Sequence, residues 1–504
     1  MTTEVAASNR PSGASSDGGS VWARMLAPPS VAAIAVLGSV LAKMLSQTLS
    51  DPDLWWHLKT GSIIAGTHSI PHADAYSYTV PGKDWVVQEW GSEVILHGIR
   101  DAFGLWGIFF WRALMLLLIY AIVGRLLVRR MGNTIGTWVV LALVAYGGSA
   151  NWTERPNLFS FTFVALLLLL IDRRDRSIWW VVPIAVVWAN LHGMVILGIG
   201  LIGLVAVVEA LKLAFNWAGG DRAWTKRLAA VTGVSAVAIL VNPRGPGLLL
   251  HSYRLVRDVS QVVTEWFSPD FHELSSFLFL VLLLVTIATL ALHPTRPDPT
   301  DVALALAFTV LALQAVRNLA VAAIVLGFVA ARYLPGTLEQ LRGKRPPSTA
   351  MSPLFGVVAI VVIVVAFGLV GGRGFPSSDD LDQIVDPAFP VAAIEALDRP
   401  GVRLFTQDAW AGLVIDQDWP NVHVFYDTRV DLYGRERAVR YARTIAAFPG
   451  WDGELDKTCT THVLVRPIQP LARVLQLSPG WMVDRQDRRS ITFSRVSPPS
   501  GCET

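Results

Sequence analysis

Eleven apolar segments, near 30–49, 104–124, 134–149, 157–171, 178–190, 193–213, 226–241, 275–292, 302–316, 318–334 and 353–371, constrain this chain more than any other feature. A bilayer core about 30 Å thick takes about 20 apolar residues of helix, and a chain that repeats such segments cannot bury them all in a water-soluble core. Composition agrees, with 504 residues, 53% of them hydrophobic and only 16% charged, and a mean hydropathy of +0.46. The expected fold class is a polytopic α-helical membrane protein of about 11 spans with a C-terminal soluble α/β domain. The segments at 134–149 and 178–190 are short, so a tilted, broken or re-entrant helix at either would change the parity of everything after it.

Lysines and arginines divide unevenly between alternate loops. With the N-terminus inside, the cytoplasmic set holds 17, among them Arg125, Arg129, Arg130, Arg174, Lys212 and Arg332, while the opposite set holds 8 over a slightly longer stretch. Positive residues accumulate on the cytoplasmic side of a plasma membrane, so the N-terminus is expected inside and the C-terminus outside. Residues 1–29, rich in Ser, Gly and Ala, read as a disordered cytoplasmic tail. No short apolar core with a small-residue cleavage site follows, so the first span reads as an uncleaved anchor. The cytoplasmic loops are short and basic and read as topology signals alone. A net charge of +3 supplies no general field for nucleic acid.

The membrane domain is expected over 30–371, with an external loop at 50–103 and a linker at 372–378. From 379 to 504 strand and helix patterns alternate. PVAAIEAL, WAGLVIDQ, RERAVRYARTIAAF and PLARVLQL read as helices, VRLFTQ and THVLVRP as strands, VHVFYDTRVDLY as a strand running into a loop, and WMVDRQDRRSITFSRV as a terminal hairpin. This pattern predicts a small extracytoplasmic α/β domain. It contains no phosphate-binding glycine loop and no nucleophile motif. Cys459 and Cys502, the two cysteines of the chain, can pair if this domain lies outside the cytosol, or can stand as unrelated thiols.

On this topology every chemically unusual loop is external. The densest is DPDLWWHLKTG, Asp51 to Gly61. Asp51 and Asp53 flank a proline, which holds the chain extended, and an acidic pair at a membrane boundary can serve as a general base or hold a divalent cation. Asp53 is also placed to cap a helix. His57, four residues after Asp53 on that helix, can position a phosphate or relay a proton. Trp55 and Trp56 can stack on a sugar, but tryptophans at this depth read first as interface anchors. Further on, Glu89 and Glu93 lie four apart on one helical face, and Glu89 has apolar neighbours that would raise its pKa. Asp74 follows a proline-led turn and is a weaker candidate.

Arg155 in TERPN, His192 in NLHG, Arg244 in NPRG, Glu265 in TEWFSPD and Arg317 in VRN each end a span on the same face. Arginines at a bilayer boundary can simply snorkel. Arg317, however, has almost no loop to hold it and needs an anionic partner. Together these residues predict a mixed-charge external vestibule suited to an anionic lipid-linked substrate.

This arrangement of paired acids behind the first span, an aromatic-rich helix, about eleven spans and an external C-terminal domain resembles the GT-C superfamily of polyprenyl-phosphate-sugar glycosyltransferases. In detail D-x-D-x-W-W-H, G-x-x-I, P-x-x-D-x-x-S-x-T, RPN, HG, NP, EW-x-SP and YDTRVDLY look like a broad family of bacterial membrane proteins often grouped with those enzymes. The resemblance implies a polyprenyl-phosphate-linked sugar donor, with Asp51 or Asp53 as base or metal ligand near the acceptor and Arg155, Arg244 or Arg317 at the lipid phosphate. The acceptor, a glycan or a protein, stays open, because no acceptor-defining motif stands in the C-terminal domain. Two other readings stay open beside it. One is a non-catalytic envelope scaffold that keeps a GT-C shell. The other is a transporter or flippase, for which Lys43 and Arg112 are the charged residues within spans.

Overall fold

The computed structural model describes residues 28–250, 263–343, 384–499, 501 and 502. The segment expected to span at 353–371, the linker at 372–378 and nearly all of the N-terminal tail lie outside them. Ten predicted spans coincide with helices: α1 (Pro28–Leu45), α3 (Trp90–Met131), α4 (Ile135–Gly147), α5 (Asn157–Arg173), α6 (Val181–Leu191), α7 (Val195–Ala214), α8 (Arg222–Ala238), α9 (Leu274–Leu292), α10 (Pro299–Gln314) and α11 (Leu319–Arg342). Among the described residues, five stretches are long and apolar enough to cross a membrane unaided: Pro28–Leu45, Trp90–Met131, Val195–Ala214, Leu274–Leu292 and Val316–Arg342. Helix α4, at about 1.5 Å per residue, is shorter than a bilayer core. The chain is thus a multi-pass helical membrane protein. Every residue from Leu319 to Ala331 is buried, which makes α11 the central post, apolar all round because it is packed all round.

Helix α3 is two helices in one. Gly104, at φ 63° and ψ −164°, breaks the direction where the predicted span begins, so 90–103 forms an arm outside the apolar stretch. Along this arm lies α2 (Pro52–Thr67), the helix expected from DPDLWWHLKTG. The two approach so closely at Gly61 that a Cβ there would stand 2.1 Å from the Glu93 carbonyl oxygen. Asp51, not Asp53, caps α2: its side chain accepts the Asp53 N–H at 2.9 Å. The proline explains the shift, since Pro52 takes the first helical position, where no N–H is needed, and the cap must precede it.

Arg112, deep in α3, fastens this assembly to the membrane part. It ion-pairs with buried Glu154 and donates to the carbonyls of Met44, Gln47 and Thr48 at 3.1, 3.0 and 3.3 Å. It therefore satisfies the open C-terminal end of α1 and fixes where the Asp51 loop leaves the bilayer.

The C-terminal region follows α12 (Val391–Glu395) with β1 (Val402–Thr406), α13 (Asp408–Asp418), β2 (Val422–Val424), α14 (Val430–Ile445), α15 (Trp451–Lys457), β3 (His462–Val465), α16 (Pro470–Gln476), β4 (Trp481–Gln486) and β5 (Ile491–Arg495). The sheet order is β2-β1-β3-β5-β4, parallel among β2, β1 and β3, with the terminal hairpin antiparallel. Cys459 and Cys502 form a disulfide. This domain grips the 50–103 loop. Ser77 bridges Val424 in parallel, Arg429 pairs with Asp74 at 2.8 Å and with Asp427 at 2.6 Å, and Gly412 lets α13 close onto the Pro52 carbonyl. Asp74 is thereby a buried structural residue.

At the other end of the bundle the basic loops are more than topology signals. Buried Lys212 joins Glu209 at 2.8 Å and Asp298 at 2.5 Å, and Arg332 joins Asp301 at 2.6 Å. These pairs bind α7 to α10 and α11.

Candidate active site

Between the α2 and α3 arm, the span ends and the C-terminal domain lies a cavity of about 520 Å³. Among the residues singled out from sequence, Asp53, Trp56, His57, Glu89, Glu93, Arg155, His192, Glu265 and Arg317 line it. Asp51 and Arg244 do not line it. Asp51, only 2% exposed, is spent on capping and on Arg155. Arg244 holds the carbonyl of Trp85, with Asp84 at 3.5 Å, and so braces the loop from outside.

Arg155 is the electrostatic centre. Its Nε lies 2.5 Å from Asp51 Oδ2, its Nη2 3.1 Å from Asp53 Oδ2 and its Nη1 2.5 Å from Glu265 Oε1. All three guanidinium nitrogens therefore face carboxylates. Asp53 Oδ1 receives a long contact from Trp56 Nε1, at 3.4 Å, and a hydrogen bond with Thr428 also bears on the carboxyl. Burial pushes the Asp53 carboxyl up to about 6, against the pull of Arg155.

The second cluster is a chain of acids and imidazoles. His57 sits between Glu93 Oε1, 3.0 Å from Nδ1, and Glu89 Oε2, 3.4 Å from Nε2. The i, i+4 spacing of the two glutamates at the start of α3 puts both on the face that meets α2. The other Glu89 oxygen lies 3.2 Å from His192 Nε2. The Met194 N–H donates to His192 Nδ1, and Ser160 Oγ, which itself accepts from Trp188, stands 2.8 Å from the same nitrogen. Nδ1 thus accepts, and a neutral His192 carries its proton on Nε2, facing Glu89. Burial, then the charge of Asp53, raises the Glu89 carboxyl to about 8. Burial and Glu89 drive Glu93 up as well, and burial holds the His57 pKa well below its usual value.

Arg317 differs from the other arginines here. Its guanidinium rests 4.4 Å over the Trp266 ring and, among the described residues, has no carboxylate within ion-pair distance. Neither tryptophan of the loop is an interface anchor. Trp55 is fully buried, edge-on to Phe389 at 6.2 Å, and Trp56 lines the cavity with Nε1 3.1 Å from Thr428 Oγ1. The far wall, Asp408, Tyr426, Thr428 and Asp431, comes from the C-terminal domain. Tyr426, Thr428 and Asp431 stand in YDTRVDLY, where nothing within the motif says what it faces, and Asp408 lies outside it.

The whole architecture has counterparts of known structure. An oligosaccharyltransferase from Archaeoglobus fulgidus, AglB in complex with an inhibitory peptide and a dolichol-phosphate, is similar with a TM-score of 0.53 and 10% identity over 86% of this chain and 69% of that one. The apo form of the Archaeoglobus fulgidus enzyme gives 0.54 and 13% over the same shares. ArnT from Cupriavidus metallidurans bound to undecaprenyl phosphate gives 0.50 and 16%, over 93% of this chain and 97% of that one. The chain has the GT-C fold. No protein-family model matches the sequence, and neither does any curated protein. At these identities the likeness is one of fold, and within the GT-C fold the chemistry must be argued from the cavity itself.

Proposed function

We propose that this protein is a membrane glycosyltransferase that moves a sugar from a polyprenyl-phosphate-linked donor to an acceptor hydroxyl or amide on the external face. The observation that carries the reading is Arg317, a cavity guanidinium with no carboxylate within ion-pair distance among the described residues, in one cavity with Asp53 and Glu89, two carboxyls with pKa values set apart. An arginine held on an aromatic ring and left without an anion suits a phosphate. Carboxyls with separated pKa values suit a base beside a neutral hydrogen-bonding acid. Undecaprenyl phosphate and dolichol-phosphate in structures of the same fold support the lipid donor. The charge bias of the loops and the Cys459–Cys502 pair support an external cavity, since disulfides persist in oxidising compartments.

In this reading the acceptor attacks the anomeric carbon and gives its proton to Asp53. The new glycosidic bond forms as the bond to the phosphate oxygen breaks, and its electron pair leaves on polyprenyl phosphate beside Arg317. Glu89, neutral at pH 7 and set between His57 and His192, supplies the neutral acid of the pair. Asp51 positions Arg155 and the start of α2. Little supports a transporter: Arg112 is spent on Glu154 and three carbonyls, and Lys43 lies over the rings of Tyr146 and Trp152 at 5.6 and 5.2 Å.

The test is release of polyprenyl phosphate from a polyprenyl-phosphate sugar by the purified protein in vesicles with envelope extract as acceptor. Loss of a general base costs on the order of 10²–10⁴ in rate, so Asp53→Asn should fall by that factor while its melting temperature holds. Asp53→Asn at the wild-type rate would sink the assignment. A wild-type protein without turnover, and no glycan lost on deletion, would favour the scaffold.

A further inference from the structure

Paired aspartates at a membrane boundary invite a divalent cation, and the donor set here can be examined for one. A hard cation such as Mg²⁺ or Ca²⁺ draws its oxygen ligands to about 2.0–2.6 Å of one point. In this cavity Asp51, Asp53 and Glu265 converge on different nitrogens of one planar guanidinium, at 2.5, 3.1 and 2.5 Å, so their oxygens are spread around its rim. Asp51 Oδ1 also accepts the Asp53 N–H at 2.9 Å, so both of its oxygens are already engaged. Among the described residues, no three His, Cys, Asp or Glu side chains are grouped to hold a metal ion. The carboxylates do not fit a cation while Arg155 is in place.

We propose that Arg155 is a built-in counter-cation standing where a divalent ion would otherwise be needed, so that the aspartate pair of this site works without metal. The proposal rests on the cavity being the transfer site, but its geometry does not. A guanidinium cannot be deprotonated in this range and binds carboxylates with directional bonds. It holds Asp53 at Oδ2, 3.1 Å from Nη2, while Oδ1 faces the cavity-lining Trp56 at 3.4 Å. Arg155 is thus a positioning residue for Asp53. Snorkelling does not describe it, since its charge is directed inward at three acids.

Mn²⁺ binding, read by electron paramagnetic resonance on the detergent-solubilised full chain without donor or acceptor, separates this proposal from the transfer reading. The wild type is expected to leave Mn²⁺ free in solution. Arg155→Ala, which strands three carboxylates without a counter-charge, is expected to take up about one Mn²⁺ per chain, and Asp51→Asn in the same background to release it. Saturable Mn²⁺ binding by the wild type that is abolished in Asp53→Asn would overturn the proposal. This wild-type arm decides even if Arg155→Ala fails to fold.

Discussion

Asp53 and Glu89 face one cavity, yet their surroundings assign them opposite states at neutral pH. Asp53, raised to about 6 by burial, is ionised at pH 7 and can take a proton. Glu89, raised to about 8 by burial and by the charge of Asp53, still holds one. Transfer should therefore rise as pH passes about 6, where Asp53 ionises, and fall as pH passes about 8, where Glu89 loses its proton. A kcat/KM profile of the free enzyme reads both limbs. Glu89→Gln keeps a neutral hydrogen-bonding group and should remove only the alkaline limb; an unchanged alkaline limb would take Glu89 out of the mechanism. At this scale the acids and the histidine were legible, because their density in one loop has no use in a solvated linker. Their partners were not. His57 was read with Asp53, four residues before it, but it meets Glu89 and Glu93 on another helix, and Trp56 meets Thr428, which lies far down the chain.

Two helices touching through a glycine hold these residues in register. With Gly61 facing the Glu93 carbonyl, a methyl at 2.1 Å must push α2 off α3 and part His57 from Glu93. Gly61→Ala should cost about 1–3 kcal/mol as overpacking does, seen as a lower melting temperature, together with a loss of transfer. A variant as stable and active as the wild type would mean that this contact does not set the site. Hydropathy was enough to find ten helices, and period-2 patterns were enough to find the strands of the C-terminal sheet, although VHVFYDTRVDLY keeps only Val422–Val424 as strand and enters α14 at Val430, where a loop was expected. Helix α15, Trp451–Lys457, was missed because seven residues with only Trp451 and Leu455 as large apolar side chains carry no readable period. The cap of α2 was misread by two positions for want of reading Pro52 as the first helical residue. The break at Gly104 also gave no sign beyond the glycine itself.

At the scale of the molecule, the cavity exists because a loop near the start of the chain and a domain at its end are folded onto each other. Buried Arg429 bridges Asp74 of the loop and Asp427 of the domain, and its guanidinium lies over the rings of Tyr76 and Trp85 at 4.8 and 4.5 Å. Breaking such a pair leaves an uncompensated buried charge, so the wall carrying Thr428 and Asp431 is held firmly against α2. Sequence could order the two parts but not dock them, since docking rests on contacts more than 300 residues apart. The central claim is that this enclosed space receives a polyprenyl phosphate at Arg317. Native mass spectrometry of the purified protein titrated with undecaprenyl phosphate tests it directly. The wild type and Asp53→Asn should retain one lipid, and Arg317→Ala should bind at least about tenfold more weakly, the loss of one charged hydrogen bond of about 1.5–3 kcal/mol. Equal retention by Arg317→Ala and the wild type would contradict the account.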